Sequence, residues 1–355
     1  MSTDLIQEAR RQIEICNACR YCEGFCSVFP AITRQTEFDD GTINHLANLC
    51  HNCRGCYYAC QYTEPHEFAL NVPAALAEVR QDSWERLAWP APLARTVQQH
   101  PMATIAMFVA AFCFLIFVVQ MLPPDNGTGF YAYLSHGAMV AIFVPCFLLP
   151  LMAIAVSLRT YWREVGGQPI RLSELLNACK STAQLKNLDG GQGQGCNFEQ
   201  GDRYSNARRY HHQAVMYGFL LCFGATAVAT ILHYFFAVEA PYGLFSLPKL
   251  LGVPGGILLV VGSIGLGWLK VKADKTLGDR RVWGGEISFV LLLGFVALSG
   301  LMLYAATGSV LVRPLLAVHL AAVLAFFLLT PYSKMVHGFY RFAALIAEEQ
   351  KKTRP

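Results

Sequence analysis

Residues 16–26 read CNACRYCEGFC and residues 50–60 read CHNCRGCYYAC. Both follow the spacing C-x2-C-x2-C-x3-C. Three cysteines at i, i+3 and i+6 wrap one side of an iron–sulfur cube, and the fourth of each run reaches the cube held by the other run. The spacing therefore predicts one [4Fe–4S] cluster on Cys16, Cys19, Cys22 and Cys60, and a second on Cys50, Cys53, Cys56 and Cys26. Four thiolates also suit zinc, but zinc ribbons use paired C-x2-C knuckles without the regular third and fourth cysteines found here.

Outside these runs the chain is apolar. Of its 355 residues 54% are hydrophobic and 15% charged, with mean hydropathy +0.36, which removes it from the soluble globular class. Six stretches, about 102–122, 133–157, 214–237, 250–269, 286–307 and 314–333, reach the length of roughly 20 residues that a bilayer core requires. The expected fold is all-α: a six-helix transmembrane bundle behind a mostly helical, ferredoxin-like two-cluster domain. The expected division is a cluster domain over 1–88, a linker over 89–101, a membrane domain over 102–345 with a long loop at 158–211, and a charged tail over 346–355. Ser27 and Gln61 follow the fourth cysteines where ferredoxins often carry proline, which alters loop detail and not ligand count.

Charge sets the orientation. The loops on one side hold Arg159, Arg163, Arg171, Lys180, Lys186, Arg203, Arg208 and Arg209, then Lys270, Lys272, Lys275, Arg280 and Arg281; the other side holds only Lys249 and Arg313. By the positive-inside rule both termini are expected in the cytoplasm of a bacterial inner membrane protein. The opening MSTDLIQEARRQIEI is charged throughout, unlike a signal peptide, so the cysteine runs are expected in a reducing compartment, where dense cysteines imply metal more than disulfides. Cys113, Cys146, Cys179, Cys196 and Cys222 share no spacing.

Local patterns predict helices over Gln7–Cys16 and Val72–Trp89, the latter with Pro73 in its first turn. Between the runs, Phe38-Asp39-Asp40-Gly41 reads as a turn, and Trp89-Pro90-Ala91-Pro92 interrupts the helix before the first span. Gly190, Gly191, Gly193 and Gly195 precede Cys196, but no strand leads into them and no Lys-Ser/Thr follows. They are read as a flexible surface loop and not as a phosphate cradle. No flavin- or nicotinamide-binding fingerprint is present.

Ionisable side chains inside spans are functional hypotheses by default. His319 and His337 are 18 residues apart, five helical turns, which on one continuous helix places them on one face roughly 27 Å apart. His212 and His233 bracket the third span. His212 with His337 on the inner side, and His233 with His319 on the outer, would supply bis-histidine ligation for one or two b-type haems. His211 competes with His212, and His136 with His233. Arg208 and Arg209 suit haem propionates. His45, His51, His66 and His100 are read as solvated or packing residues, and Lys334 and Arg341 as candidates beside a quinone.

With the cysteine runs, the segment Arg208-Arg209-Tyr210-His211-His212 leading to Tyr217-Gly218-Phe219, and the closing Pro331-Tyr-Ser-Lys-Met-Val-His337-Gly-Phe-Tyr-Arg341, the chain resembles the tricarballylate utilisation protein B (CitB-type) family. Its membrane half is similar to the cytochrome b subunit of respiratory nitrate reductase. The resemblance implies a membrane electron-transfer subunit that reoxidises the FAD of a partner tricarballylate-type dehydrogenase and delivers electrons through clusters and haem to the quinone pool. The lipid bilayer, that flavoprotein and quinone are then the expected partners, and nucleic acid is not. A membrane-bound redox sensor or anchor without quinone turnover is the alternative, and the absence of an output domain after residue 341 weighs against it.

Overall fold

The computed structural model describes residues 3–121, 129–191, 193–199 and 201–354. Among the described residues the chain forms fourteen α-helices and no strand, only two isolated bridges, Cys196 to Ser205 and Glu199 to Ala273. The first six are α1 (Thr3–Cys19), α2 (Val28–Thr33), α3 (Asp40–Leu49), α4 (Gly55–Tyr58), α5 (Val72–Leu87) and α6 (Ala91–Gln99). The Phe38–Gly41 segment is a helix start rather than a free turn. The Asp39 carboxylate accepts the Thr42 backbone N–H at 2.7 Å and satisfies one of the orphan donors of α3. Asn71 caps α5 in the same way, accepting from Ala74 at 3.2 Å, with Pro73 in the first turn where its missing N–H costs nothing.

Helices α7 (Pro101–Met121), α8 (His136–Glu164), α10 (Ala207–Phe236), α11 (Leu247–Lys272), α12 (Trp283–Ala305) and α13 (Val312–Leu329) contain the six described segments long and apolar enough to cross a membrane. Between α8 and α10 lies α9 (Leu172–Gln184), and α14 (Val336–Thr353) closes the chain. The apolar core around the cysteine runs is not made by the N-terminal helices alone. Ile13, Ile43, Leu46, Leu76 and Trp84 pack with Tyr161 of α8, Ala178 of α9, and Tyr340 and Ala344 of α14. Extra turns of α8 beyond the predicted span end, and the helix inside the long loop, exist to complete this core.

The same core contains a buried titratable pair. His45 is fully buried with Nε2 3.3 Å from Glu348, whose carboxylate also pairs with Arg34. Burial holds His45 below its ordinary 6.5 despite the carboxylate. Between that lowered value and 6.5 the unfolded chain binds a proton that the folded chain refuses. Stability should therefore fall as pH drops below about 6.5, by at most about 1.4 kcal/mol per pH unit. Thermal melts at about pH 7.5 and about pH 5.5 check this. The acid deficit should shrink in His45→Gln; an unchanged deficit would assign it to other groups.

Within the membrane part α10 packs most extensively on α11. A Cβ on Gly262 would lie 2.7 Å from the Val215 backbone nitrogen, and one on Gly255 3.0 Å from that of Cys222; one on Gly218 would meet Leu259 at 2.7 Å. The two backbones approach this closely only because small residues line the seam. Gly262→Val should force the helices apart at a cost of about 1–3 kcal/mol, read as a lower melting temperature in detergent. A melting temperature equal to that of the parent would show that the seam yields.

One sequence expectation fails here. His319 and His337 do not share a helix: α13 ends at Leu329, a 3-10 turn covers Thr330–Tyr332, and Ser333 is extended (φ −115°, ψ −176°) before α14 starts. Pro331 has no N–H to continue the helical ladder, so the five-turn, one-face relation between the histidines does not exist.

Candidate redox site

The two cysteine runs lie side by side. Cys16, Cys19, Cys22 and Cys60, with Cys56, line a cavity of about 240 Å³. Burial, then the neighbouring thiols Cys22, Cys60 and Cys19, push Cys16 up to about 12, and Cys22 rises to about 12 for the same reasons. Thiolates that repel one another in a partly buried cavity are an electrostatic setting that a cationic metal group relieves. The second group is tighter. Cys26 and Cys53 share a hydrogen bond that lowers Cys53 to about 6 and raises Cys26, with Cys50 and Cys56 beside them. Backbone N–H groups also point at sulfur: Asn52 to Cys50 and Tyr62 to Cys60, both at 3.4 Å. Such bonds favour thiolate and tune any cluster held there. Cys60 thus lies with Cys16, Cys19 and Cys22, and Cys26 with Cys50 and Cys53, while Cys56 borders both groups.

The glycine-rich segment is not a free surface loop. Gly191, at φ +82°, presses on the first run so closely that a Cβ would stand 2.1 Å from the Gly24 carbonyl oxygen. Beyond it, Asn197 donates its backbone N–H to the Cys53 carbonyl at 2.9 Å, and Ser27 Oγ bonds Asn187 at 2.9 Å. The loop between α9 and α10 is a collar around both runs.

The second run is bound to α5, α10 and α14 by arginines that spacing alone did not reveal. Arg208, in the first turn of α10, donates to the carbonyls of Asn52 at 2.7 Å and His51 at 2.9 Å. Arg341, in α14, donates to the Cys50 carbonyl at 3.3 Å, and buried Arg80 reaches the same oxygen at 2.9 Å. Arg54 and Arg208 lie over the Phe198 ring at 4.7 and 4.2 Å. Desolvation, then Arg80 and Arg208, bring Arg341 down to about 9. His51 is no solvated histidine: its Nδ1 bonds the Leu49 carbonyl at 2.8 Å, and burial first, then Arg341, holds it well below its usual range.

One of the two expected histidine pairs meets. His212 and His337 rings are 5.9 Å apart, centre to centre, at 86°. Two imidazoles on one iron, with metal–nitrogen bonds of about 2 Å, put ring centres roughly 6 Å apart. His337 Nδ1 bonds the Lys334 carbonyl, which fixes the tautomer that leaves Nε2 a lone pair; His212 Nδ1 is buried without a partner. The pair fits a haem iron. His211 is turned away against α11, where a Cβ on Gly265 would lie 2.1 Å from its Nδ1.

The outer expectation is not met in the same way. His233 stacks on His136 at 4.0 Å and 19°, beside Tyr131 and Tyr234, too close for an iron between the rings. His319 bonds Ser299 at 3.1 Å and abuts Gly300 instead of facing His233. Lys334 and Arg341 are not free for a quinone either: Lys334, with Lys270, pairs with Glu286, and Arg341 holds the Cys50 carbonyl.

Residues 90–355 match the profile of the family described as citrate utilization protein B, and residues 9–85 match that of its Fer4-like domain. The chain is 43% identical over 352 residues to citrate utilization protein B of Escherichia coli, covering 98% of this chain and 93% of that one. No solved structure matches it.

Proposed function

Because the chain belongs to the citrate utilization protein B family, we propose that it is the membrane electron-transfer subunit for a cytoplasmic FAD-dependent dehydrogenase of the tricarballylate or citrate type. It takes electrons from that enzyme's reduced flavin and delivers them to the quinone pool. The observation that carries this reading is one juxtaposition: two neighbouring cysteine runs, the second bonded at its backbone by Arg208 and Arg341, each one turn along its own helix from His212 or His337, whose rings face each other.

On this reading Cys16, Cys19, Cys22 and Cys60 hold one [4Fe–4S] cluster; Cys50, Cys53, Cys56 and Cys26 hold the other; and His212 and His337 hold a b-type haem. When bound, these groups supply one-electron redox chemistry. The chain supplies the rest. Backbone N–H groups brace sulfur, the Lys334 carbonyl orients the His337 imidazole, and Gly191 and Asn197 of the loop between α9 and α10 pack on the backbone of the two runs. Both termini lie on the cytoplasmic side of the bacterial inner membrane, where the basic loops stay. A second haem would draw on the outer histidines His136, His233 and His319.

The test is metal analysis of the purified chain in detergent. Iron, acid-labile sulfide and haem should be present together, with b-type absorbance bands that a short-chain quinol reduces. Iron and sulfide without haem would remove the transmembrane path, and a chain with neither would remove the electron-transfer reading itself.

A further inference from the structure

Four guanidiniums gather on the second cysteine run, and none has a carboxylate partner. Among the described residues, the ion pairs engage other cations, and no Asp or Glu pairs with Arg54, Arg80, Arg208 or Arg341. Glu286, whose charge Arg80 and Arg341 feel, is already taken by Lys270 and Lys334. Arg54 and Arg80 are each 5% exposed. Cations withdrawn from water without a counter-ion are costly unless an anion joins them. Backbone carbonyls of Cys50, His51 and Asn52 offer only dipoles.

The first run lacks this setting. Cys19 is exposed, the cavity that it lines opens beside Tyr21, which is 71% exposed, and its nearby cation, Arg20, is itself exposed to solvent. Solvent screens what charge Arg20 carries.

We propose that Arg80, Arg208 and Arg341 are positioning residues that make the second cysteine run the high-potential, membrane-facing member of the pair and leave the exposed first run as the side that receives electrons. This rests on the cluster-binding reading above. Reduction adds one electron and no proton to a thiolate-ligated cluster, so its negative charge grows by one, and fixed positive charge nearby favours the reduced form. The electron comes from the partner's reduced flavin. It leaves the first run oxidised as the second is reduced, and passes on to the group held by His212 and His337. Arg208 stands one turn from His212 on α10, and Arg341 one turn from His337 on α14, so the residues that tune the second run also fix it over the imidazole pair.

Redox titration followed by electron paramagnetic resonance tests the assignment on the full chain in detergent, with Cys19→Ser marking the signal of the first run. In Arg208→Gln and Arg341→Gln, iron and haem content should stay at parental level. The second-run signal should need a lower potential, with the ratio of reduced to oxidised at fixed potential falling about tenfold, equivalent to about 59 mV for one electron. The first-run signal should not move. Arg208→Lys and Arg341→Lys, which keep the charge, should titrate like the parent; if one Gln variant fails to load, the other carries the comparison, and failure of both to load overturns the tuning role. Midpoints that ignore residues 208 and 341, or that fall equally for both signals, overturn the proposal, as does loss of the cluster in the Lys variants. A parental chain without clusters would instead overturn the reading beneath it.

Discussion

Cys26→Ser should remove the second cluster and spare the first, although Cys26 belongs to the first run by sequence. Cys60→Ser should do the reverse. The structure puts Cys26 in a hydrogen bond with Cys53 and beside Cys50 and Cys56, while Cys60 lines the cavity of Cys16, Cys19 and Cys22. A [4Fe–4S] cube requires its full set of thiolates, so each substitution should cost about half of the iron and sulfide, and not a quarter of each cluster. Resonance spectra identify which signal survives. If Cys26→Ser eliminated the signal that Cys19→Ser also eliminates, ligation would be within runs and the crossed arrangement would be wrong. Because a metal group stabilises the fold that holds it, both variants should also melt at lower temperature than the parent.

His212→Ala and His337→Ala should each abolish the b-type absorbance of the inner haem, while His211→Ala should leave it in place. An iron held by two imidazoles loses its axial set when either is removed. His211, one residue away, is committed to the Gly265 surface of α11 and cannot substitute without breaking the glycine seam. Pyridine haemochrome assay of the purified variants gives the answer directly. Retention of full haem content in both His212→Ala and His337→Ala would exclude the pair as ligands, and loss in His211→Ala alone would hand the role to its neighbour. Iron–sulfur content should be unchanged in all three, since none of these side chains reaches the cysteine quartets.

Much of this was legible from local pattern. Cysteines three residues apart are legible because a Fer4-like domain carries its cysteines in short runs, and residues 9–85 match such a domain. Spans of about 20 apolar residues are visible because bilayer thickness sets their length. Boundaries were legible where a local group sets them, as Asn71 and Pro73 set the start of α5. They were missed where a turn signal doubled as a cap, at Asp39.

The histidines show where such reading stops. Spacing of 18 residues implied one helical face between His319 and His337, yet Pro331 ends the helix between them. His212 and His337 come together because each sits near the start of its own helix, α10 and α14, a matter of topology. The outer pair does not: which of His136, His233 and His319 come together depends on helix rotation, and the near-uniform hydrophobicity of these helices carries no rotational signal. The arginine setting of the second run was invisible for a related reason. Arg208 bonds a residue 156 positions away, and the residue that Arg341 bonds is 291 positions away. In sequence both are ordinary cations at an inner membrane surface.

By itself, then, the sequence determined the all-α class, the Fer4-like character of the N-terminal domain and the number of membrane-capable helices, because cysteine spacing and hydropathy are local quantities. Only the tertiary structure decided which imidazoles face each other, that Asn187, Gly191 and Asn197 pack on the cysteine runs, and that, among the described residues, arginines without a carboxylate partner surround one cysteine run and not the other. Those facts depend on how helices far apart in sequence rotate and dock, and it is close packing between them, not any spacing along the chain, that selects the arrangement.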